Sequence, residues 1–567
     1  EVMKKMKKFF AMFLALAMVL GMSVTTFAEQ VKNGKPSSED DAEVKITGLE
    51  EGKVTLKAYQ LIEANYDPKV GFDGYKWVEA YAEKNGSDGK IVTTDPTTEG
   101  GLLNIDGLNS STIADMAADP QGTPVTEVTW ESGIAKMRLK PGTWMILATP
   151  TGTSGAADTV YNPMVASVYY TAQTNVDGGI VDGDGAWELN TTDAYVKSTD
   201  VSHESDKKIV GTQNPDGTYT QNNAGGKVGT VVRYELTGTV PSYSEQYFDG
   251  ETAASGPVKF VLKDAKSAGL TYNQDSVVVT TGKSTPAKTL TITTDYTIDW
   301  KNDSFEVALT EKALKELAGE SQDGRFIKVA YTATINSNAV TQIAENSFKL
   351  EYTRTPGAPA VETEEKKTYA YTAAINGSVK KVGEDKTTAL GGATFTLYES
   401  YVSGALSNQF STPSDTNAGV KVTNDTDGLV KFEGLEFEKT YYMKETAAPT
   451  SYSINEKVYA VECSYPENFK TDGTEKLERY IVRVWDAAYA DYDTAIAAND
   501  ADAKEFTVNY GVDDRTAITN AVTVVNTKLA TLPSTGGIGT TIFTVGGCAI
   551  MIIAAGLYFS LRRRTVK

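Results

Sequence analysis

The stretch "ATFTLYE" at residues 393–399 alternates apolar with polar side chains and follows two glycines. A period of two places successive side chains on opposite faces of a β-strand. The same alternation recurs in short runs along most of the chain, separated by turn-forming Gly, Asn and Asp, as in "VTLKAYQLI", "VVRYELTGTV", "FKLEY" and "AVTVVN". Short alternating strands with frequent turns are typical of antiparallel β-sandwiches. The sequence therefore predicts an all-β fold.

The chain of 567 residues is long enough for three such domains once its two apolar ends are set aside. A Pro-rich and then acidic linker is predicted at residues 354–368, and a second junction lies near residues 197–207. A polar segment at residues 29–41 is predicted to be flexible. Helices are expected only as insertions, in "EKALKELAG" and "DAAYADYDTAIAANDADA". The predicted sandwich domains span residues 42–196, 200–353 and 369–527.

The N-terminus has the composition of an export signal. Four lysines precede an apolar run at residues 9–22, and small residues then lead to a cleavage site after Ala28. A basic region, a short apolar region and small residues before the cut describe a secretory signal peptide. The apolar run is short for a membrane span. Residues 1–28 are therefore predicted to be removed.

The C-terminus has the composition of a membrane anchor. Residues 538–561 form an uncharged run that is long enough to cross a bilayer. The basic tail at residues 562–567 follows this run. The positive-inside rule predicts that this tail stays cytoplasmic. The pentapeptide "LPSTG" at residues 532–536 lies just before the span. Pro533 fixes φ and removes a hydrogen-bond donor, which favours an extended segment outside any sheet.

Composition argues against several classes of function. His203 is the only histidine, which excludes histidine-based zinc sites and Ser-His-Asp catalysis, so neither a metal nor a cofactor is predicted. A surface hydrolase is accordingly disfavoured. Loss of the signal peptide, net +3, and of the tail, net +4, changes the formal charge from −20 to −27, which argues against nucleic-acid binding. Cys463 and Cys548 are the only cysteines, so no disulfide within the exported part is expected.

The C-terminal order of pentapeptide, apolar span and basic tail resembles the LPxTG sorting signal of Gram-positive surface proteins. This resemblance implies a substrate of a sortase, whose cysteine attacks the carbonyl of Thr535 and releases the chain from Gly536 onward. The acyl group then passes to an amine. The residues of the signal are Leu532, Pro533, Ser534, Thr535 and Gly536.

The stretches "KKVGEDKTTALGGATFTLYES" at residues 380–400 and "YYMKETAAP" at residues 441–449 resemble the Cna-B-type domain of Gram-positive surface proteins. The resemblance implies immunoglobulin-like (Cna-type) sandwiches and a spontaneous Lys–Asn isopeptide bond assisted by a glutamate. The matching residues are Lys381, Asn526 and, as the assisting acid, Glu445. Each continues the apolar face of its strand, where burial is costly unless the group is paired or consumed. The alternative is that each is the exposed end of its strand.

Burial accounts for the chemistry that this bond requires. An ammonium has no lone pair, and an apolar site lowers the pKa of a lysine, so a neutral Lys381 amine becomes accessible. A protonated Glu445 is expected to hydrogen-bond the carboxamide oxygen of Asn526 and to move protons as ammonia departs.

The second predicted domain resembles the central domain of major pilins in "SDKKIV", "VLKDAKSAGLTY" and "NSFKLEY". The resemblance implies an equivalent Lys–Asn bond assisted by an aspartate. Strand parity selects Lys207 over Lys208, with Asn346 as its partner and Asp264 as the assisting acid. A surface lysine and a strand-leading asparagine are the alternative.

The first predicted domain looks like a pilin N-terminal module in "VTLKAYQLIE", "PGTWMILATP" and "VYNPMVASVYY". Lys57 and Asn162 are candidates there for a third bond, although no acid is clearly placed beside them.

Major pilins carry an acceptor lysine in a motif resembling W-x3-V-x-V-Y-P-K at the end of the first domain. Here Trp187 is followed by "ELNTTDAYVKS", with spacing one residue longer and no proline. Lys197 is therefore the predicted intersubunit lysine. The alternatives are Lys32, Lys35 and Lys208.

These resemblances predict the shaft subunit of a cell-wall pilus that supports adhesion, in which pilin-specific sortase joins Thr535 of one subunit to Lys197 of the next. The implied partners are identical subunits, minor pilins, a housekeeping sortase that attaches the polymer to peptidoglycan, and host surface ligands. No enzyme activity is expected beyond the autocatalytic internal bonds. The alternative is a minor or basal pilin, or a monomeric wall-anchored adhesin.

Overall fold

Strands dominate the computed structural model, in agreement with the predicted all-β class. The structure describes residues 22–30, 35–69, 71–82, 91–92, 108, 113, 116–117, 119–151, 159–172, 187–243, 248, 257–283, 287–354, 359–424, 426–510, 520–529 and 539–564.

The first domain is a sheet wrapped around its own core of apolar side chains. Its described strands form a ten-stranded sheet in the order β5-β4-β3-β8-β10-β11-β2-β7-β6, with β1 on β11, and a separate pair β9–β12. Val44, Ile46, Leu61 and Met145 are among the fully buried residues of this core. The elements are β1 (Met22–Gln30), β2 (Ala42–Thr47), β3 (Val54–Asp67), β4 (Gly71–Trp77), α1 (Glu79–Ala82), β5 (Ile91–Val92), β6 (Thr129–Glu131), β7 (Ile134–Leu139), β8 (Gly142–Pro150), β9 (Thr159–Tyr161), β10 (Met164–Ala172), β11 (Trp187–Tyr195), β12 (Ser198–Asp200) and α2 (Val201–Glu204).

Parts of the polar segment at residues 29–41, which the sequence predicts to be flexible, contact the first domain. Strand β1 crosses the predicted cleavage site and pairs antiparallel with β11. Further on, the Tyr66 hydroxyl donates to the carbonyl oxygen of Ser37 at 2.9 Å. The Tyr170 hydroxyl lies 3.1 Å from the same oxygen and donates to Asp40 at 2.8 Å. The half-buried Tyr66 and the buried Tyr170 therefore tie this polar segment to the sheet. Residues 1–21 lie outside the described part of the chain.

The middle domain is a sandwich of two sheets. Its described strands form the sheets β14-β13-β15-β21-β17-β18 and β19-β20-β16-β22-β23, with β24 also on β22, and their apolar faces share a core. The predicted helix "EKALKELAG" forms α3, whose N-cap Thr310 accepts from the Ala313 amide. The elements are β13 (Asp206–Gln213), β14 (Tyr219–Gln221), β15 (Val231–Thr239), β16 (Phe260–Lys266), β17 (Leu270–Thr281), β18 (Lys288–Thr289), β19 (Tyr296–Trp300), β20 (Ser304–Leu309), α3 (Glu311–Ala318), β21 (Phe326–Ile335), a 3-10 turn (Ser337–Val340), β22 (Ala344–Tyr352), β23 (Val361–Glu362) and β24 (Lys366–Ala370).

The predicted linker at residues 354–368 is more than a spacer. Both β23 and β24 pair with β22, so part of the linker belongs to the middle sheet. The charged side chains of the linker are compatible with this position, because strands at the edge of a sheet tolerate charge. Lys263, for example, donates to Glu362 at 2.8 Å across the sheet surface.

The third domain packs a large sheet against two small ones. Its described strands form β28-β27-β31-β32-β33-β34 with β29 on β27, the parallel pair β26–β35, and the pair β25–β30. The elements are β25 (Ala373–Ala374), β26 (Val379–Val382), β27 (Thr394–Val402), β28 (Ala405–Gln409), β29 (Val420–Val422), β30 (Glu433–Leu435), β31 (Thr440–Ala447), β32 (Val458–Ser464), β33 (Arg479–Asp486), α4 (Tyr492–Ala497), β34 (Lys504–Asn509) and β35 (Val522–Val525). The predicted Ala/Asp-rich helix is present only as the short α4.

The middle and third domains are continuous. Their buried residues form one hydrophobic cluster, and the Lys227 ammonium contacts Glu399 across the junction at 3.2 Å. Val160 and Val201 extend the same cluster to the end of the first domain.

The C-terminal helix α5 (Gly539–Arg564) follows these domains. Its part from Thr541 to Arg563 contains an 18-residue stretch with a mean hydropathy of 2.1 and is long and apolar enough to cross a membrane. This helix agrees with the anchor predicted from the sequence.

Candidate functional site

In the third domain, the structure brings together the three residues that the sequence selected. Lys381 lies on β26, Asn526 directly follows β35, and Glu445 lies on β31 of the opposite sheet. Pairing of β26 with β35 places Lys381 beside Val524, and the Asn526 amide donates to the Val382 carbonyl at 3.1 Å. All three side chains come from strands with alternating burial, and each residue is at most 1% exposed.

A glycine keeps β26 in this position. The Lys381 amide donates to the carbonyl oxygen of Gly428 at 2.7 Å, and Gly428 has φ of +65°. A Cβ at this position would lie 2.4 Å from the Lys381 carbonyl oxygen, which is too close for any other residue.

The three side chains hydrogen-bond to one another, and Glu445 Oε2 also accepts from the Asn455 amide at 2.9 Å. The Lys381 ammonium donates to the Asn526 carboxamide oxygen and lies 3.2 Å from Glu445 Oε2. The Asn526 Nδ2 group donates to Glu445 Oε1 at 2.8 Å. Glu445 therefore contacts the amide nitrogen, and the expectation that it contacts the carboxamide oxygen is wrong. The reason is that the lysine occupies that oxygen, which leaves the departing nitrogen to the carboxyl group.

Burial supplies the electrostatics for nucleophilic attack. It lowers the pKa of Lys381, and the opposing influence of Glu445 is smaller. A neutral amine is thus accessible in contact with an amide, and a carboxyl group lies at the nitrogen that would leave.

The middle domain gathers a second cluster. Lys207 on β13, Asp264 on β16 and Asn346 on β22 are at most 4% exposed. Lys207 donates to Asp264, and burial lowers the pKa of this lysine against the effect of Asp264. Lys208 instead points outward to Glu235 at 3.1 Å, as strand parity predicted.

Two tyrosines that the sequence analysis did not select complete this cluster. The Tyr331 hydroxyl donates to Asp264 Oδ2 at 2.8 Å and accepts from Lys207 Nζ at 3.0 Å and from Asn346 Nδ2 at 2.8 Å. The Tyr272 hydroxyl donates to Asp264 Oδ1 at 2.7 Å. The sequence did offer a way to find Tyr331. This tyrosine lies on the apolar face of the strand "FIKVAYTATI", and a buried phenol needs a polar partner.

The third pair suggested for the first domain is not brought together. Lys57 is exposed because it occupies an outward position of β3, between the buried Leu56 and Ala58. Asn162 is buried, but its Nδ2 group donates to the Ser242 carbonyl at 3.3 Å. The proposal of a Lys57–Asn162 bond is therefore wrong.

Lys197 lies at the junction of the first and middle domains, between β11 and β12. Its carbonyl oxygen accepts from the Asn162 amide at 3.0 Å, and its half-buried side chain has a pKa lowered first by burial and then by Arg325. Arg325 belongs to the middle domain and donates to the Val240 carbonyl at 2.6 Å and to Thr199 at 3.4 Å. The arginine thus links the strand after Lys197 to the middle domain.

The other predicted site residues are less informative. Lys35 and Lys208 are exposed. Lys32 and the whole pentapeptide at residues 532–536 lie outside the described residues.

Comparisons with known families match three parts of the chain. The family described as Gram-positive pilin backbone subunit 2, Cna-B-like domain, matches residues 228–356. The prealbumin-like fold domain matches residues 376–476, and the LPXTG cell wall anchor motif matches residues 524–567. The Cna-B-like match therefore lies in the middle domain.

Comparisons with individual proteins extend over nearly the whole chain. The trypsin-resistant surface T6 protein of Streptococcus pyogenes serotype M6 is 23% identical over 97% of this chain and 99% of its own length. The solved T6 backbone pilin, described as a modular three-domain structure, is 21% identical with a TM-score of 0.51, covering 87% of this chain and 100% of that one. The full-length major pilin SpaD of Corynebacterium diphtheriae is 16% identical with a TM-score of 0.45, covering 88% and 100%.

Proposed function

We infer that this chain is a Gram-positive backbone pilin, the shaft subunit of a covalently polymerised pilus attached to the cell wall. The observation that carries this inference is the combination of a pilin-backbone domain and an LPXTG anchor in a chain that aligns end to end with a streptococcal T6 protein.

Within each subunit, we propose Lys–Asn amide bonds between Lys381 and Asn526 and between Lys207 and Asn346. Support comes from the buried contacts of Lys381 with Asn526 and Glu445, and from the buried cluster around Asp264. Each reaction joins the lysine nitrogen to the carboxamide carbon and releases ammonia.

The positions of these bonds suit a fibre under tension. In the third domain, the bond would join β26 near the start of the domain to the residue after β35 at its end. In the middle domain, it would join β13, the first strand, to β22 near the end. A pulling force that enters and leaves each domain at these strands would pass through the amide and bypass most of the hydrogen-bonded strands between them.

Between subunits, we propose that sortase transfers the Thr535 acyl group to Lys197 of the next subunit. Lys197 is half-buried at a domain junction, where burial and Arg325 both favour its neutral, nucleophilic form. Joining two different surfaces of identical subunits is heterologous and does not close, so it generates a filament.

Intact-mass spectrometry tests the internal bonds. The recombinant segment of residues 29–535 should weigh less than its sequence by two molecules of ammonia at neutral pH. Lys381→Ala and Lys207→Ala should each restore one ammonia, because each removes one nucleophile. Lys208→Ala is the matched control and should restore none, since its side chain is exposed. The full sequence mass for the unmutated segment would reject both bonds.

A further inference from the structure

The Tyr331 hydroxyl contacts all three residues of the middle-domain cluster. It lies on β21, is 1% exposed, and connects Lys207, Asp264 and Asn346 by hydrogen bonds of 2.8 to 3.0 Å. A phenol has one proton to donate and two lone pairs that accept. Here the proton goes to Asp264, and the lone pairs accept from the lysine and from the amide nitrogen.

The third domain shows what this phenol replaces. There, Glu445 accepts directly from Asn526 Nδ2 at 2.8 Å, so the carboxyl group touches the nitrogen that would leave. In the middle domain, the group at Asn346 Nδ2 is the Tyr331 hydroxyl, which in turn contacts the Asp264 carboxyl group. The shorter aspartate thus reaches the amide nitrogen through a tyrosine.

We propose that Tyr331 is a catalytic residue that relays a proton from Asp264 to the departing nitrogen of Asn346. This role rests on the proposed Lys207–Asn346 bond and adds to it a group that touches both reacting nitrogens.

The proposed reaction conserves protons at each step. The Lys207 ammonium first gives one proton to Asp264, and the resulting amine attacks the Asn346 carboxamide carbon. As the carbon–nitrogen bond of the amide breaks, Tyr331 donates its proton to the departing nitrogen and recovers one from Asp264. Asp264 then takes the second proton of the lysine nitrogen. The products are the new amide, one ammonia and a protonated Asp264, with no oxidant or other reactant.

The surroundings keep Tyr331 in the form that donates. Burial, followed by the nearby Asp264, raises the pKa of the Tyr331 phenol well above its ordinary value. The hydroxyl is therefore protonated at neutral pH and is returned to that form after each transfer.

Tyr331→Phe removes the relay and keeps the ring, which packs on Tyr234 at 5.2 Å and on Phe305 at 5.0 Å between centroids. We expect the variant to form the Lys207–Asn346 bond about 100-fold more slowly, the lower range for general acid–base catalysis. The protein is purified unfolded and refolded by dilution, and the branched Lys207–Asn346 peptide is quantified over time. The branched Lys381–Asn526 peptide of the same chain is the internal control for the folding rate. It should appear at the same rate in the variant as in the unmutated protein.

Tyr272→Phe is the matched control, because Tyr272 donates to Asp264 but to neither reacting residue. It should slow the middle-domain bond far less than Tyr331→Phe does. An unchanged rate in Tyr331→Phe, or equal slowing in both variants, would overturn the relay. Absence of the Lys207–Asn346 peptide from the unmutated protein would instead reject the bond itself, and the relay with it.

Discussion

Lys197→Arg should abolish the pilus polymer. Cell-wall extracts boiled in SDS should change from a ladder of bands to monomer, because a guanidinium stays protonated and cannot accept the acyl group. Arginine keeps the positive charge and much of the length of lysine, so the half-buried junction should still fold. The measurement is immunoblotting of the extracts with an antibody against the ectodomain.

Lys208→Arg provides the control for this experiment. Lys208 lies 11 positions further along the chain, is exposed, and pairs with Glu235 on the surface. Its variant should give the same ladder as the unmutated protein. A ladder that persists in Lys197→Arg would mean that a different lysine accepts the next subunit. Monomer in the unmutated strain would favour a monomeric wall adhesin.

Glu445→Gln should cause a large loss of stability in the third domain. Glutamine keeps the shape but cannot shuttle protons, so the Lys381–Asn526 bond should not form. The bond closes a loop of 145 residues. By the chain-entropy relation for disulfides, a cross-link over such a loop stabilises by about 5 kcal/mol. The melting transition of the third domain should therefore fall by about 10–20 °C, the shift for a domain of this size, as measured by calorimetry.

Glu505→Gln is the matched control in the same domain. Glu505 accepts from Arg483 at 2.9 Å on the exposed surface, where an ion pair is worth less than about 1 kcal/mol. Its melting temperature should stay close to that of the unmutated protein, with the ammonia still lost. Equal stability of Glu445→Gln and the unmutated domain would show that no covalent bond depends on Glu445.

Strand parity in the sequence predicted much of the two clusters. Alternation of apolar and polar residues selected Lys207 over Lys208, and the structure places the first in the core and the second at the surface. The same periodicity predicted that Lys381 and Glu445 face inward. The terminal span could be read from composition, because an uncharged run of that length has few alternatives.

Other features depend on tertiary contacts that periodicity does not encode. Lys57 is a different case, because its alternation with the apolar Leu56 and Ala58 already placed it on the outward face of β3, against the motif that made it a candidate. Residues 354–368 were predicted to be a linker from their composition, yet pairing of β23 and β24 with β22 adds part of this segment to the middle sheet. Tyr331 was one aromatic residue among many in alternating strands. Its position between Asp264 and Asn346 arises only when two sheets meet.

The most direct test of the account is the identity of the branched peptides in purified polymer. Tandem mass spectrometry of protease-digested, SDS-resistant pili should find Thr535 joined to the Nζ of Lys197, together with the internal Lys207–Asn346 and Lys381–Asn526 linkages. Wall-released protein in which Thr535 is attached only to peptidoglycan amines, with the internal lysines unmodified, would contradict it.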